Sequence, residues 1–120
     1  MDAVMGHLPS MNYTDWGRLL AERFPIRDAA VVQSDWSSLK QRVLVGQTVT
    51  GIVVAKAPFG AWLDIAVGFP ALLEITVMAG LTPESYRADE WCPLGSTVTA
   101  FVAGFRETPH QIALWQVRLN

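Results

Sequence analysis

At Gly46 the apolar residues of this chain stop recurring at helical spacing and begin to alternate, and this change of period limits the fold more than any other feature. Val49, Gly51 and Val53 alternate with Thr48, Thr50 and Ile52, the pattern of a half-buried strand rich in β-branched residues. Pro58 and Gly60 bracket a bend, after which Ala61, Leu63 and Ile65 alternate with Trp62 and Asp64. Gly68 and Pro70 mark the next turn, and residues 71–76 read as a third short strand. Thr82-Pro83-Glu84 opens a short helix, with the hydroxyl as cap and proline in the first helical position. Pro93 and Gly95 punctuate again, and residues 96–103 and 111–119 complete five strands. Five short strands with a helical link after the third predict an all-β core closed into a small barrel.

Residues 1–45 read differently, as a short helical extension in front of a barrel domain at 46–120. Thr14-Asp15 offers oxygens to the free amides of a first helical turn. Trp16, Leu19, Leu20 and Phe24 then share a helical face, and Pro25 ends the run. Ser34-Asp35 repeats the start signal ahead of Trp36, Leu39 and Val43. The two Trp-x-x-Leu segments admit a duplicated functional element, but two capped helices docking their tryptophans on a core explain them more simply. Two copies are too few for a solenoid.

Composition narrows the partners. The 120 residues are 51% hydrophobic and 17% charged, which excludes a disordered tail or a basic nucleic-acid arm. The net charge of −2 and pI of about 5.5 provide no global attraction for phosphate or anionic lipid. Low charge also leaves apolar surface for a partner. Cys92 is the single cysteine, so no internal disulfide can form and a reducing, cytoplasmic setting is expected. Met1-Asp2-Ala3-Val4-Met5 lacks the cationic start of a signal peptide. The most apolar window, residues 57–73, is interrupted by Pro58, Gly60, Asp64, Gly68 and Pro70, so no membrane span is expected.

Within this frame residues 45–119 resemble the S1 RNA-binding domain family, which adopts the five-stranded OB fold. Val45-Gly46-Gln47-Thr48-Val49-Thr50-Gly51-Ile52-Val53 is similar to the family's opening, a Val-Gly pair followed by a glycine inside strand one. Phe59-Gly60-Ala61-Trp62-Leu63-Asp64 resembles its Phe-Gly-Ala-Phe-Val-Asp stretch, and Ala71-Leu72-Leu73-Glu74-Ile75-Thr76 its Gly-Leu-Val-His-Ile-Ser. Leu94-Gly95-Ser96-Thr97-Val98 and Gln111-Ile112-Ala113-Leu114 fall where a second Val-Gly opening and a closing Arg-Ile-Ser-Leu stand in the family. The resemblance covers about three-fifths of the chain and implies an S1-like OB barrel behind the helical extension.

It also implies where RNA would bind. The family uses two aromatics on strand two, a His on strand three, and an Asp and Arg near strand five. Carried over, Phe59 and Trp62 keep the aromatic positions, where a flat ring can stack on a base. Glu74 replaces the His, Gln111 replaces the Arg, and Glu107 takes the place of the Asp. From Gly46 onward four cations face six acids, and regular alternation points Asp64 and Glu74 outward beside Trp62, against a phosphate backbone. Lys56, Arg106 and His110 are then the nearby groups left to touch phosphate.

No catalytic constellation is present: His7 and His110 lack metal-ligand spacing, and no nucleophile elbow or phosphate-binding glycine loop occurs. Asp64 with Glu74 is the one carboxylate pair the topology could assemble, and an open strand face leaves such a pair solvated. The expectation is a non-enzymatic protein without metal or cofactor. Its ligand is single-stranded RNA, bound weakly through Phe59, Trp62, Lys56, Arg106 and His110, or else a protein partner on a barrel that has lost RNA binding. The N-terminal helices decide between them, because a Trp62 buried beneath them removes the stacking platform.

Overall fold

The computed structural model describes residues 15–80, 84, 86 and 91–117. The elements run α1 (Trp16–Arg23), α2 (Ala29–Arg42), β1 (Thr48–Ala57), β2 (Gly60–Asp64), β3 (Pro70–Glu74), a 3-10 turn (Ile75–Val77), β4 (Thr97–Glu107) and β5 (His110–Trp115). The five strands close into a barrel in the order β1-β2-β3-β5-β4, with β4 returning to β1. All neighbours are antiparallel except β3 and β5, which pair in parallel. This is the expected five-stranded OB barrel behind a short helical N-terminal portion.

Strand bounds differ from the periodicity reading in instructive ways. The first strand runs on to Ala57, the third stops at Glu74 where the 3-10 turn begins, and the last ends at Trp115. Thr14, His7, the Thr82-Pro83 helix start and the final residues 118–120 lie outside the described residues. The second helix begins at Ala29, ahead of the Ser34-Asp35 signal, because Asp28 is the working cap: its carboxylate accepts from the amides of Ala30 and Val31. Asp35, freed from capping, pairs with Arg27 at 2.6 Å.

The inner faces of the strands contribute Val53, Ala61, Leu63, Ala71, Leu73, Val102, Ile112 and Leu114 to one core, and α2 adds Trp36, Leu39 and Val43 to it. Trp36 packs edge-on against Phe69 and Phe105, and its Nε1 donates to both oxygens of Glu107 at 3.1 Å. Two glycines let the strands close: a Cβ on Gly51 would lie 2.7 Å from the Asp64 carbonyl oxygen, and one on Gly60 the same distance from that of Leu73. Only a residue without a side chain allows such backbone approach.

A β-bulge at Val54–Ala55 resets the alternation of β1. Val53 pairs with Leu63 on the inner face, yet Ala55 pairs with Trp62 on the outer one and Lys56 with Ala61 inside. One extra residue reverses the parity of everything after it. Lys56 therefore points inward.

Candidate binding face

The outer face of β1–β3 is where the resemblance places an RNA site, and α1 lies on it. Ala55, Ala57, Trp62 and Leu72 form a second apolar cluster, covered by Trp16, Leu19 and Leu20 of α1. Every residue of β2 from Gly60 to Leu63 is buried, so this strand is covered on both faces. The Trp16 indole stacks nearly parallel on Trp62, with ring centroids 5.0 Å apart and planes inclined by 14°. Phe59 completes the group edge-on, 5.9 Å from Trp16 and 5.5 Å from Trp62.

An eight-residue helix cannot hold itself in water, so α1 owes its form to this docking. Its carboxylate cap is weak, since Asp15 makes no side-chain bond to the first turn. Instead Asp15 and Glu22 both pair with Arg18 on the solvent side. At the other end Arg23 Nε donates to Asp64 Oδ2 at 2.7 Å, which pins the helix to the end of β2. Burial raises the Asp64 pKa, but the Arg23 bond and the Ala66 amide outweigh it and hold the carboxyl below its ordinary value.

The five expected RNA-contacting residues meet different fates. Phe59 keeps 44% of its surface exposed, whereas Trp62 is 4% exposed beneath Trp16. The Trp62 Nε1 donates to Gln111 Oε1 at 3.3 Å, a partnership the sequence did not reveal. Lys56 is fully buried; its Nζ donates to the carbonyls of Tyr86 and Trp91 and sits 4.2 Å from the centre of the Tyr86 ring. The expectation of a phosphate contact from Lys56 is thus not met in this arrangement, because the bulge turned the side chain inward. Arg106 donates to Glu74 at 3.1 Å. His110 stacks on Trp36 with centroids 5.0 Å apart, so it belongs to the α2 contact.

The acids are equally committed. Asp64 and Glu74 lie at opposite ends of the β2–β3 ladder, opposite Pro70 and Gly60 respectively, and each holds its own arginine. The expected outward carboxylate pair is split. Glu107 accepts from Lys40 at 2.9 Å as well as from Trp36, and these bonds, first Lys40 and then Trp36, lower its pKa. Among the described residues, Arg42 is the cation left without a carboxylate or carbonyl partner. To use Arg23 or Arg106, a phosphate backbone would have to break the ion pair each makes with Asp64 or Glu74.

Trp16, Leu19, Leu20 and Arg23, which cover and pin this face, were not assigned to it from the sequence. Their helical spacing was visible, but period alone shows that a face is apolar and not which surface receives it. Among the described residues, no group of three or more His, Cys, Asp or Glu could hold a metal ion, and no helix is long and apolar enough to cross a membrane.

No protein-family model matches the sequence, and no curated protein matches it. Solved structures do share the fold. The uncharacterized protein MJ1198 from Methanocaldococcus jannaschii is 19% identical with a TM-score of 0.51, over 65% of this chain and 97% of that one. A chain in the a/eIF2alpha-aDim2p-rRNA complex from Pyrococcus horikoshii OT3 is 21% identical with a TM-score of 0.51, over 64% of this chain and 46% of that one. GSP13 from Bacillus subtilis is 25% identical with a TM-score of 0.49, over 60% of this chain and 54% of that one. At these identities the likeness shows a five-stranded OB barrel and nothing narrower.

Proposed function

We propose that this chain is a non-enzymatic binding module whose barrel recognises an amphipathic protein helix on the face that the S1 family uses for RNA. The observation that carries the reading is the seat of α1 on Trp62. It displays the chemistry that the face accepts: a tryptophan, leucines three and four positions on, and a basic residue seven on, meeting an apolar floor and the Asp64 carboxylate. That spacing is the helix-in-groove mode of peptide recognition. The chain's own α1 is the resident occupant, and a partner helix competes with it. The split and ion-paired carboxylates support a role outside catalysis. Placement in the cytoplasm, drawn from the lone Cys92, is part of the same proposal.

A second reading is favoured by one feature. A parallel ring stacked on Trp62 is also how a nucleobase would sit, so single-stranded RNA could take the place of Trp16 once α1 lifts. One titration separates the two. A peptide of residues 14–24 added to the Trp16→Ala protein should restore the shielding of Trp62, while single-stranded RNA leaves the barrel amides and Trp62 unchanged in both proteins. RNA shifts in the intact chain overturn the helix reading, and shifts in the Trp16→Ala protein alone establish the second.

A further inference from the structure

Beside the stacked tryptophans, between α1, the segment that follows it and the barrel, lies a cavity of about 500 Å³. Trp16, Leu20 and Phe24 wall it on the helix side; Trp62, Phe69 and Gln111 do so on the barrel side. The volume falls within the range of small-molecule sites, and the lining has their character, apolar and aromatic with few polar groups.

Gln111 is the polar group that matters. It is 7% exposed, and its Oε1 accepts from Trp62 Nε1. An indole N–H can only donate, so this bond fixes which way the amide points. The amide NH2 of Gln111 therefore brings two donors to the wall of the cavity, with no acceptor among the described residues. Buried donors without acceptors are costly and uncommon, and they mark places where a ligand atom completes the hydrogen bonding. The other candidates at the wall are already spent. Arg27 is paired with Asp35 at 2.6 Å and lies 5.4 Å from the centre of the Phe69 ring; His110 lies against Trp36. Among the described residues, no uncompensated cation lines the cavity to select an anion.

We infer that this cavity is a binding site for an uncharged, planar aromatic molecule of two or three fused rings bearing a carbonyl acceptor, held by ring contacts with Trp16, Trp62 and Phe69 and by the Gln111 amide. An extended RNA strand needs the face open, whereas this site exists because α1 closes it. A molecule seated there touches both α1 and the barrel, so it holds the helix down. The inference rests on the seating of α1 that also carries the proposed function, but not on what the face recognises.

The test uses the whole chain with coumarin and with chromene, the same bicycle lacking the carbonyl. In amide NMR titrations coumarin should bind saturably and move the Gln111 side-chain NH2 and the Trp62 indole signal. Chromene should bind about five- to tenfold more weakly, the size of one hydrogen bond. Gln111→Met should bring coumarin down to the chromene level, and Ala21→Trp, which fills the cavity from α1 and leaves Gln111 intact, should abolish binding of both. Equal affinity for the two compounds, or shifts outside the cavity, overturns the site. If Trp62 stays shielded while coumarin fails to bind, this inference falls and the helix reading stands. If Trp62 is exposed in the free protein, both fall.

Discussion

Trp16→Ala removes the ring that covers Trp62, and its consequence can be worked from the contacts. Losing roughly 120 Å² of apolar contact at ~25 cal/mol/Å² is worth about 3 kcal/mol, and the parallel stack adds about 1 kcal/mol. What remains to hold α1 is two half-buried leucines, about 1 kcal/mol each, and the Arg23–Asp64 pair, at most about 1 kcal/mol at its partly exposed position. Trp16 thus supplies more than half of the docking. None of its atoms enters the inner core, so the barrel should keep its cooperative unfolding while α1 opens locally. Hydrogen exchange reads this directly, at amides such as those of Leu19 and Phe24, which close the helical turns on Asp15 and Leu20. Their protection should fall about a hundredfold or more, since each 1.4 kcal/mol is tenfold, and Trp62 should become open to acrylamide quenching. If protection falls less than about tenfold and Trp62 stays shielded, α1 is held by something other than the stack, and the reasoning fails.

Three further outcomes follow from other contacts. Lys56→Met leaves the Tyr86 and Trp91 carbonyls without their donor and should destabilise the barrel by about 2–3 kcal/mol in urea melts, without altering any oligonucleotide titration. Asp64 has a folded pKa below its unfolded value, so its contribution is present above the ordinary carboxylate pKa near ~3.9 and disappears as pH falls through the lower folded value. The protection factors of the α1 amides should therefore fall on acidification below about pH 4, and Asp64→Asn should remove that dependence. Gly60→Ala forces a Cβ to 2.7 Å from the Leu73 carbonyl oxygen and should cost about 2–3 kcal/mol of thermal stability, whereas Gly17→Ala, which meets nothing, should cost none.

The barrel was legible because its signals are local. Alternation, turn residues and the Gly51 and Gly60 positions each state a backbone requirement that neighbours in sequence can express, and the closed five-stranded barrel followed from the resemblance they built up. The candidate face was half legible. Phe59 and Trp62 could be placed on it and Asp64 and Glu74 read as acids beside it, but their arginine partners come from α1 and β4, far away in sequence. Nothing in the helical period of Trp16, Leu19 and Leu20 distinguishes docking on the outer face from entering the core as Trp36 does. Lys56 was named only for its nearness to this face, and the bulge that turns it inward has no residue signature in Val53-Val54-Ala55.

That bulge makes the charge of the outer face depend on strand register as much as on residue type. Drawn out straight with all its residues kept, β1 would alternate regularly from Val53, seat Ala55 inside and carry the ammonium from its carbonyl cage to the outer surface. A cation would appear on the face with no substitution at all. Barrels of this shape can therefore gain or lose an outward cation by straightening or keeping a bulge in their first strand, and two with an aligned lysine need not present it on the same face.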